Sequence, residues 1–509
     1  MKPSVRFDEA TQDGDAFFAG CMRTAAALHG AGLAPGEVVA VMLRNEPMLL
    51  ELMLAARWIG ARWCPINWHF KAAEVRHILV DSEAKLLIVH ADLLAQIDGA
   101  IAESVRTFVV DPLPFTQRAF SLADAGPGPE RRLESWAAFR DAARGAAPEA
   151  QAPGSAMVYT SGTTGLPKGI RREPATPEQL ALLAERSRVA LGVEPGMRAL
   201  VSAPLYHSAP GAYAVQAALN DAHLVLEPRF HAERTLELIE SERLTHLYLV
   251  PTMYVRLLRL GENVHRRHDL SSVRFVASSG SPCAADVKRR MIDWWGPVFH
   301  EAYAASELGW ISHIDSHEAL QRPGSAGRAM AGVQLKVLSS EGQAMATGTT
   351  GLLYARDPAV PDFTYAHNDA ARRKLERDGL WTLGDMGYLD ADGYLYVVDR
   401  QNDMVIAGGV NIYPAEIEAV LITMPGVADC AVFGIPDAEF GEVVAAAVQP
   451  IANVALDEGQ VRTFLRERLA DFKVPRVVAF HDELPREDTG KIFKRRLREP
   501  YWAGRQRRI

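Results

Sequence analysis

Short apolar runs alternate with helical patterns over the first 200 residues, and this alternation limits the folds that the chain can adopt. The run VVAVML at 38–43 precedes helical spacing of apolar residues over 49–58, and the run KLLIV follows at 85–89. Strands separated by helices usually pair in parallel, since each helix returns the chain to the same edge of the sheet. The pattern predicts layered α/β structure with largely parallel sheets.

A second region repeats the pattern. The apolar runs at 246–258 and 273–282 each lead from a strand into a turn or a helix start. Between the two regions, residues 155–160 predict a short strand. Residues 176–179, TPEQ, form a capping-box sequence with proline at the first helical position, and Gly192 is a suitable helix end. We therefore expect a second α/β lobe joined to the first by a capped helix.

The sequence changes character after residue 384. Residues 384–400, GDMGYLDADGYLYVVDR, predict a β-hairpin with Asp392 and Gly393 at its turn. The rest has the length and pattern of a small α+β domain. We place the boundary so that residues 1–401 and 402–509 form the two domains. The elements expected in the second domain are helix 414–424, strand 427–434, strand 443–449, helix 456–469 and strand 474–480.

Composition excludes several classes of protein. The net charge of −8 over 509 residues argues against binding nucleic acid by neutralising phosphates. The four cysteines are scattered, with neither zinc-site spacing nor the density of a disulfide scaffold. No secretory leader and no apolar run of membrane-spanning length occurs, which predicts a cytoplasmic enzyme without a membrane span.

The stretch YTSGTTGLPKG, residues 159–169, concentrates glycine, hydroxyl side chains and one lysine between apolar runs. Glycine lets main-chain N–H groups approach a ligand closely, and hydroxyls and an ammonium suit anionic oxygens. The stretch indicates a triphosphate clamp, although a flexible turn is the alternative for an isolated motif. It is not the P-loop of common NTPases, which needs glycine in place of Pro167 and a hydroxyl residue in place of Gly169. The candidate ligands are Ser161, Gly162, Thr163, Thr164, Gly165 and Lys168.

Further motifs follow in a fixed order: PLYHS at 204–208, YAASELG at 303–309, GDMGYLD at 384–390, DRQNDMVIAGGVNIYPAEIE at 399–418 and PREDTGKI at 485–492. With the glycine-rich stretch, they make the chain resemble an acyl-CoA synthetase of the adenylate-forming superfamily. That superfamily also includes peptide-synthetase adenylation domains and beetle luciferase. The resemblance covers nearly the whole chain.

The resemblance implies an AMP-forming acid–CoA ligase. Such an enzyme uses ATP and Mg²⁺ to convert a carboxylic acid to an acyl-adenylate with release of pyrophosphate, and then transfers the acyl group to CoA. Its partners are a small-molecule acid and CoA, with no nucleic acid and no membrane span, and a homodimer is left open. The implied fold is a large N-terminal domain that binds ATP and the acyl group, with a β-rich part, and a small mobile α+β C-terminal domain that carries the adenylation lysine.

Individual roles follow from the matched motifs. Lys491 resembles the adenylation lysine, Glu307 the ligand of Mg²⁺, and Thr164 joins them as a catalytic candidate. Asp385 would accept hydrogen bonds from the ribose hydroxyls. Asn402 occupies the hinge position, where aspartate or lysine is usual. Further candidates for ATP or CoA binding are Gly280, Ser281, Pro282, Tyr303, Ser306, Arg400 and Gly409.

The acyl pocket is expected around residues 206–213, 277–283 and 302–311. Small residues leave volume there, and an apolar wall selects by shape. We therefore predict a medium-chain, aryl or bulky alicyclic acid. Four residues are named as pocket candidates: His207, Ala209, Gly211 and Ala304.

Other functions stay open at this point. An amino-acid adenylation domain that loads a carrier protein would need a carboxylate near the substrate ammonium, and residues 205–220 contain none. A nucleotide-binding homologue without catalysis would have no need of Lys168, Glu307, Asp385 and Lys491. A luciferase-type oxygenase is hardly distinguishable by sequence from fatty acyl-CoA ligases.

Overall fold

The computed structural model describes residues 2–122, 133–143, 145–160, 167–408, 410–486 and 492–503. Within those ranges no helix has both the length and the apolar character needed to cross a membrane.

A parallel sheet forms the first lobe, as the alternation predicts. Helices Gly14–Gly30, Pro47–Trp58 and Ala72–Asp81 accompany it. Its two central strands, Val38–Met42 and Leu86–His90, are buried along their whole length because helices and neighbouring lobes cover them. In spatial order the strands are Arg62–Pro65, Val38–Met42, Leu86–His90, Arg106–Val110 and Glu134–Ser135.

A larger mixed sheet forms the second lobe, and its first half is parallel apart from the edge strand Ala10–Gln12. The parallel strands, in spatial order, are Ser4–Phe7, His223–Leu226, Arg198–Val201, His246–Tyr248, Phe275–Ser278 and Phe299–Ala305. The main helices of this lobe are Pro177–Leu191, Ser208–Leu219, Ala232–Glu242, Pro251–Leu258 and Ala285–Trp295.

The second half of this sheet is antiparallel, and it begins earlier in the chain than residue 384. Strand Gly309–Asp315 turns back against Phe299–Ala305 after only three residues. Short connections of this kind produce antiparallel neighbours. The further strands are Gly327–Ala329, Gln334–Leu338, Gly351–Arg356, Glu376–Arg377, Leu380–Trp381, Asp385–Leu389 and Tyr394–Arg400.

Two local predictions are confirmed. Thr176 Oγ1 accepts from the Gln179 N–H at 3.2 Å, the Gln179 side chain accepts from the Thr176 N–H at 3.1 Å, and the helix ends at Gly192 with φ of 68°. Residues 385–400 form the predicted hairpin, whose turn is closed by main-chain N–H groups that donate to the Asp390 carboxylate.

The C-terminal residues fold into the expected α+β unit. Helix 414–424 is found as Pro414–Leu421 and helix 456–469 as Glu458–Arg466. The predicted strands are found as Val427–Asp437, Gly441–Pro450 and Val477–Phe480. Strands Val405–Ala407 and Val410–Ile412 and helix Lys494–Trp502 were not predicted.

The remaining short helices lie at the periphery or in connections. They are Ala91–Ile97 and Asp471–Lys473, both 3₁₀, and the α-helices Pro114–Phe120, Trp136–Ala142, Glu262–His265, Ser316–Gln321 and Asp369–Arg373.

Candidate active site

The glycine-rich stretch connects two antiparallel strands. Strand Tyr159–Thr160 pairs with Lys168–Arg172, so the predicted strand 155–160 is wrong in its first four residues. Before Tyr159, Ala156 forms an isolated bridge with Trp63, and the Val158 carbonyl accepts from the Ile170 N–H at 2.9 Å. A strand follows the stretch, whereas a helix follows a P-loop, and this agrees with the exclusion of that motif. Five candidate ligands lie outside the described residues: Ser161, Gly162, Thr163, Thr164 and Gly165.

A third strand, Phe363–Tyr365, completes this small sheet by pairing with Lys168–Arg172. The Lys168 Nζ lies 5.3 Å from the centre of the Tyr365 ring, a distance at which a cation is attracted to an aromatic face. Lys168 is thus held by Tyr365 at the end of the glycine-rich stretch.

Glu307 lies in the tight turn between strands Phe299–Ala305 and Gly309–Asp315 and is 7% exposed. Its Oε1 accepts hydrogen bonds from Thr160 Oγ1 at 3.0 Å and from the Tyr365 hydroxyl at 3.1 Å. The turn requires glycine at 309, because φ there is +78° and a Cβ would lie 2.3 Å from a Val360 methyl. Glu307 and Lys168 are therefore brought together through Tyr365.

These contacts fit a nucleotide-bound Mg²⁺. In the described ranges no group of three or more His, Cys, Asp or Glu side chains could hold a metal by itself. Magnesium in ATP sites is bound by one or two carboxylates together with phosphate oxygens and water. Glu307 can supply one such carboxylate, since the two hydrogen bonds that it accepts from described side chains both use Oε1 and, among those residues, leave Oε2 for a cation.

Tyr303, Asp385 and Arg400 form the second cluster. The Tyr303 hydroxyl donates to Asp385 Oδ2 at 2.6 Å, and Arg400 Nε donates to Asp385 Oδ1 at 3.1 Å. Asp385 and Arg400 face each other across the hairpin. Burial, and after it the Asp385 carboxylate, raises the pKa of Tyr303 well above its usual value, so the phenol remains a donor at neutral pH. The cluster therefore places the Tyr303 ring next to the Asp385 carboxylate, which is 7% exposed.

Three further candidates for ATP or CoA binding lie at the same edge of the large sheet. Gly280, Ser281 and Pro282 form an exposed turn after strand Phe275–Ser278, which is the parallel neighbour of the strand that carries Tyr303. Gly280 adopts φ of +96°, which disfavours other residues. Since parallel strands end at a common edge, this turn and Tyr303 lie on the same side of the sheet.

The acyl-pocket candidates meet at the start of helix Ser208–Leu219. His207 is its N-cap residue, Ala209 lies in the first turn, and Gly211 is buried, where a Cβ would lie 2.9 Å from the Leu205 carbonyl oxygen. The Ser208 and Ser306 hydroxyls are hydrogen bonded at 2.8 Å. This contact joins the helix to the turn that carries Glu307. Ser306, the first residue of that turn, follows the half-buried Ala304 by two residues.

The hinge candidate Asn402 lies in a turn directly after strand Tyr394–Arg400. The N–H of Asp403 donates to the Arg400 carbonyl at 2.9 Å and closes the turn. Lys491 and Gly409 lie outside the described residues. The segment that contains Lys491 begins and ends at two bridged residues, Arg486 and Ile492.

Sequence reasoning missed Thr160 and Tyr365, the two hydroxyl donors to Glu307. Thr160 lies within the quoted stretch, but nothing marks it apart from the other hydroxyl residues. Tyr365 is almost 200 residues from the stretch, and only the pairing of Phe363–Tyr365 with Lys168–Arg172 brings it to the site.

Comparison with known proteins gives a consistent result. Residues 2–361 match the model of the AMP-binding enzyme family, and residues 416–491 match that of the AMP-binding enzyme C-terminal domain. A feruloyl-CoA synthase from Amycolatopsis sp is 34% identical over 484 residues, which cover 94% of this chain and 92% of the relative. An indoleacetate–CoA ligase from Aromatoleum aromaticum is 33% identical over 505 residues, with 98% and 95% coverage.

Among solved structures, ATP-bound MatB from Rhodopseudomonas palustris superposes with a TM-score of 0.81 at 28% identity, covering 98% of this chain and 96% of that one. The family match spans more than half of the chain, and both relatives match over more than nine-tenths of it. This chain belongs to the AMP-binding enzyme family.

Proposed function

We propose that this protein is an AMP-forming acid–CoA ligase that uses ATP and Mg²⁺. It activates a carboxylic acid as an acyl-adenylate and then transfers the acyl group to CoA as a thioester. The observation that carries the proposal is the convergence of Lys168 and Glu307 on Tyr365, at the edge of the sheet that also carries the Tyr303–Asp385–Arg400 cluster.

The first reaction must bring two anions together. A carboxylate oxygen attacks the α-phosphorus of ATP, the bond from that phosphorus to the bridging oxygen breaks, and pyrophosphate leaves. Positive charge aimed at the phosphates lowers the barrier. Lys168 supplies it at the end of the glycine-rich stretch, and we assign Lys491 the same role toward the attacking carboxylate. Mg²⁺, when bound beside Glu307, would neutralise phosphate charge.

We place the domain boundary between residues 401 and 402, with Asn402 as the hinge. The turn at Asn402 connects the last strand of the large sheet to the C-terminal sheet, so rotation there would move the whole C-terminal unit. Such a rotation would move Lys491 away from the site and bring a different face of the C-terminal unit to it. That face, beside Gly409, would admit the thiol arm of CoA.

The acid is proposed to be medium-chain, aryl or bulky alicyclic. Ala209 and Ala304 are small, half-buried residues at the start of one helix and on the neighbouring strand, which suits a bulky group, whereas Gly211 is packed against the Leu205 carbonyl and adds no space. The two relatives are named for aryl-containing acids, feruloyl and indoleacetate, and this supports the aryl option.

We also propose a cytoplasmic location. All four cysteines are free and buried, and burial raises the pKa of Cys21, Cys64, Cys283 and Cys430 above the usual thiol value, as suits unreactive packing residues. That the protein forms a homodimer stays a prediction, and the molar mass from light scattering would test it.

The test is a substrate panel. Purified protein is incubated with Mg²⁺, ATP and single acids, with and without CoA: acetate, octanoate, ferulate, indoleacetate, cyclohexanecarboxylate and several amino acids. We expect acyl-CoA and AMP from an aryl, medium-chain or alicyclic acid. A preference for acetate would refute the pocket argument. Pyrophosphate release without any thioester in the presence of CoA would point to a carrier-protein acceptor.

A further inference from the structure

Two adjacent arginines end the strand that begins with Lys168, and they face opposite sides of it. Side chains alternate along a strand, so Arg172 shares a face with Lys168. Its guanidinium carbon lies 5.9 Å from the centre of the Phe363 ring on the paired strand. The Lys168 ammonium makes a similar contact with the Tyr365 ring on that strand. Arg171 is exposed and lines a groove of about 640 Å³ on the other face.

The Arg172 guanidinium donates to three main-chain carbonyls. Nη1 donates to Pro361 O at 2.7 Å, and Nη2 donates to Ser306 O at 2.6 Å and to Glu307 O at 2.8 Å. Ser306 and Glu307 are the two residues of the tight turn to which metal and nucleotide roles are assigned. One planar side chain therefore ties that turn to the strand that follows the glycine-rich stretch.

Arg172 also keeps its charge. Removal of water from the guanidinium lowers its pKa to about 10, while the Glu307 and Asp362 carboxylates act in the opposite direction. The group is thus protonated at neutral pH. Its acceptors among the described residues are uncharged carbonyls, so no carboxylate bonded to it there cancels its field, which extends to the neighbouring Glu307.

We infer that Arg172 is a positioning residue for the adenylation step: it fixes the turn that carries Glu307 at the distance from Lys168 that Mg²⁺-bound phosphates require. The inference rests on the proposed function, since it concerns the site of that reaction. Arg172 needs no contact with the substrates. It acts through the main chain of Glu307, whose carboxylate faces Thr160 and Tyr365.

The guanidinium geometry makes a specific demand. Five N–H donors in a rigid plane can bond several carbonyls at once, whereas a lysine ammonium is a point charge on a flexible stem. A lysine at 172 would preserve the charge and lose the simultaneous bonds to both sides of the turn. Charge and positioning can therefore be separated by the choice of substitution.

The experiment compares Arg172→Met and Arg172→Lys with Arg171→Met, the matched control on the other face of the strand. Pyrophosphate release is measured against MgATP, free Mg²⁺ and the acid. We expect Arg172→Met to lower kcat/KM for MgATP by about 100-fold, the scale of a misplacement of about 1 Å. We also expect more Mg²⁺ to be needed for half-maximal rate and the KM for the acid to change little. The kcat/KM of Arg172→Lys for MgATP should lie between the values for the wild type and for Arg172→Met. The kcat/KM of Arg171→Met should stay within about twofold of the wild-type value.

Several results would overturn the inference. One is an unchanged Mg²⁺ requirement in Arg172→Met, which would leave only a structural role. Another is an equal loss in Arg171→Met. If Arg172→Met does not fold, as judged by its thermal unfolding, the Mg²⁺ requirement of Arg172→Lys decides the question. If the wild type forms no acyl-adenylate, the proposed function fails, and calorimetric binding of ATP at varied Mg²⁺ in the same variants still tests Arg172.

Discussion

Replacement of Asp385 by asparagine should weaken ATP binding by an amount that follows from its hydrogen bonds. An ionised carboxylate offers about four acceptor positions. The Tyr303 hydroxyl and Arg400 Nε occupy one on each oxygen. About two positions remain, enough for the two ribose hydroxyls. Asparagine removes the charge and turns one oxygen into a donor, so at least one ribose bond is lost.

The magnitude comes from the environment of the carboxylate. Asp385 is 7% exposed, so solvent screens its hydrogen bonds little. A hydrogen bond to a charged group contributes about 1.5–3 kcal/mol, and the loss of one corresponds to a rise in Kd for ATP of about 10- to 150-fold. The matched control is Asp392→Asn at the exposed turn of the same hairpin. In this variant the Kd for ATP should change by about twofold or less.

Calorimetry with ATP, 2′-deoxy-ATP and 3′-deoxy-ATP checks the assignment as a double-mutant cycle. The wild type should bind the deoxy analogues more weakly than ATP, and Asp385→Asn should have lost most of this discrimination. An Asn variant that binds ATP like the wild type, or that discriminates equally well, would refute the ribose assignment.

Three further predictions address catalysis, stability and pH. Lys491→Ala should abolish pyrophosphate release while calorimetric ATP binding is largely retained, and unchanged turnover would remove this lysine from the mechanism. Arg186→Met leaves the fully buried Asp357 carboxylate without its ion-pair partner, so urea unfolding should show a loss of about 3–5 kcal/mol, against less than about 1 kcal/mol for Arg266→Met in an exposed pair. Burial lowers the pKa of His300 from 6.5 to about 4, so this residue's contribution to stability is complete above pH 6.5 and is lost as the pH falls toward 4. The unfolding free energy should therefore depend less on pH over that interval in His300→Gln, and an identical slope would exclude this residue as a cause.

Elements with strong local signals could be predicted from the sequence. The hairpin at 385–400 follows from the turn at Asp392 and Gly393 and the alternating apolar residues after it. The helix from Pro177 follows from its capping box and from Gly192. In each case the residues that determine the structure are neighbours in the chain, so no knowledge of the tertiary fold is needed.

The antiparallel half of the large sheet was harder to foresee. Its first connection is the three-residue turn at Ser306–Leu308, which is part of the YAASELG stretch and has no common hairpin signal. The geometry depends on Gly309 and on space beside Val360, a contact between residues 51 positions apart. Pairing of this kind is set by packing, which sequence periodicity does not report.

The candidate site also has residues that the sequence indicates and contacts that only the tertiary fold shows. Motif resemblance suggested Lys168, Glu307 and Asp385 one at a time as candidates, but it did not suggest the contacts that join them to other residues. Tyr365 meets Glu307 across 58 positions, and Tyr303 meets Asp385 across 82. Arg172 carries no motif signal, and its role emerges only from the three carbonyls that it binds.

The central claim is that the carboxylate of the acid attacks the α-phosphorus of ATP. Its most direct test follows oxygen from an acid labelled with ¹⁸O in both carboxyl positions, under conditions that give acyl-CoA. One label should appear in AMP, because the bond from the carboxyl oxygen to phosphorus survives when CoA removes the acyl group, and pyrophosphate should contain none. Label in pyrophosphate or inorganic phosphate, or AMP without label, would contradict the account.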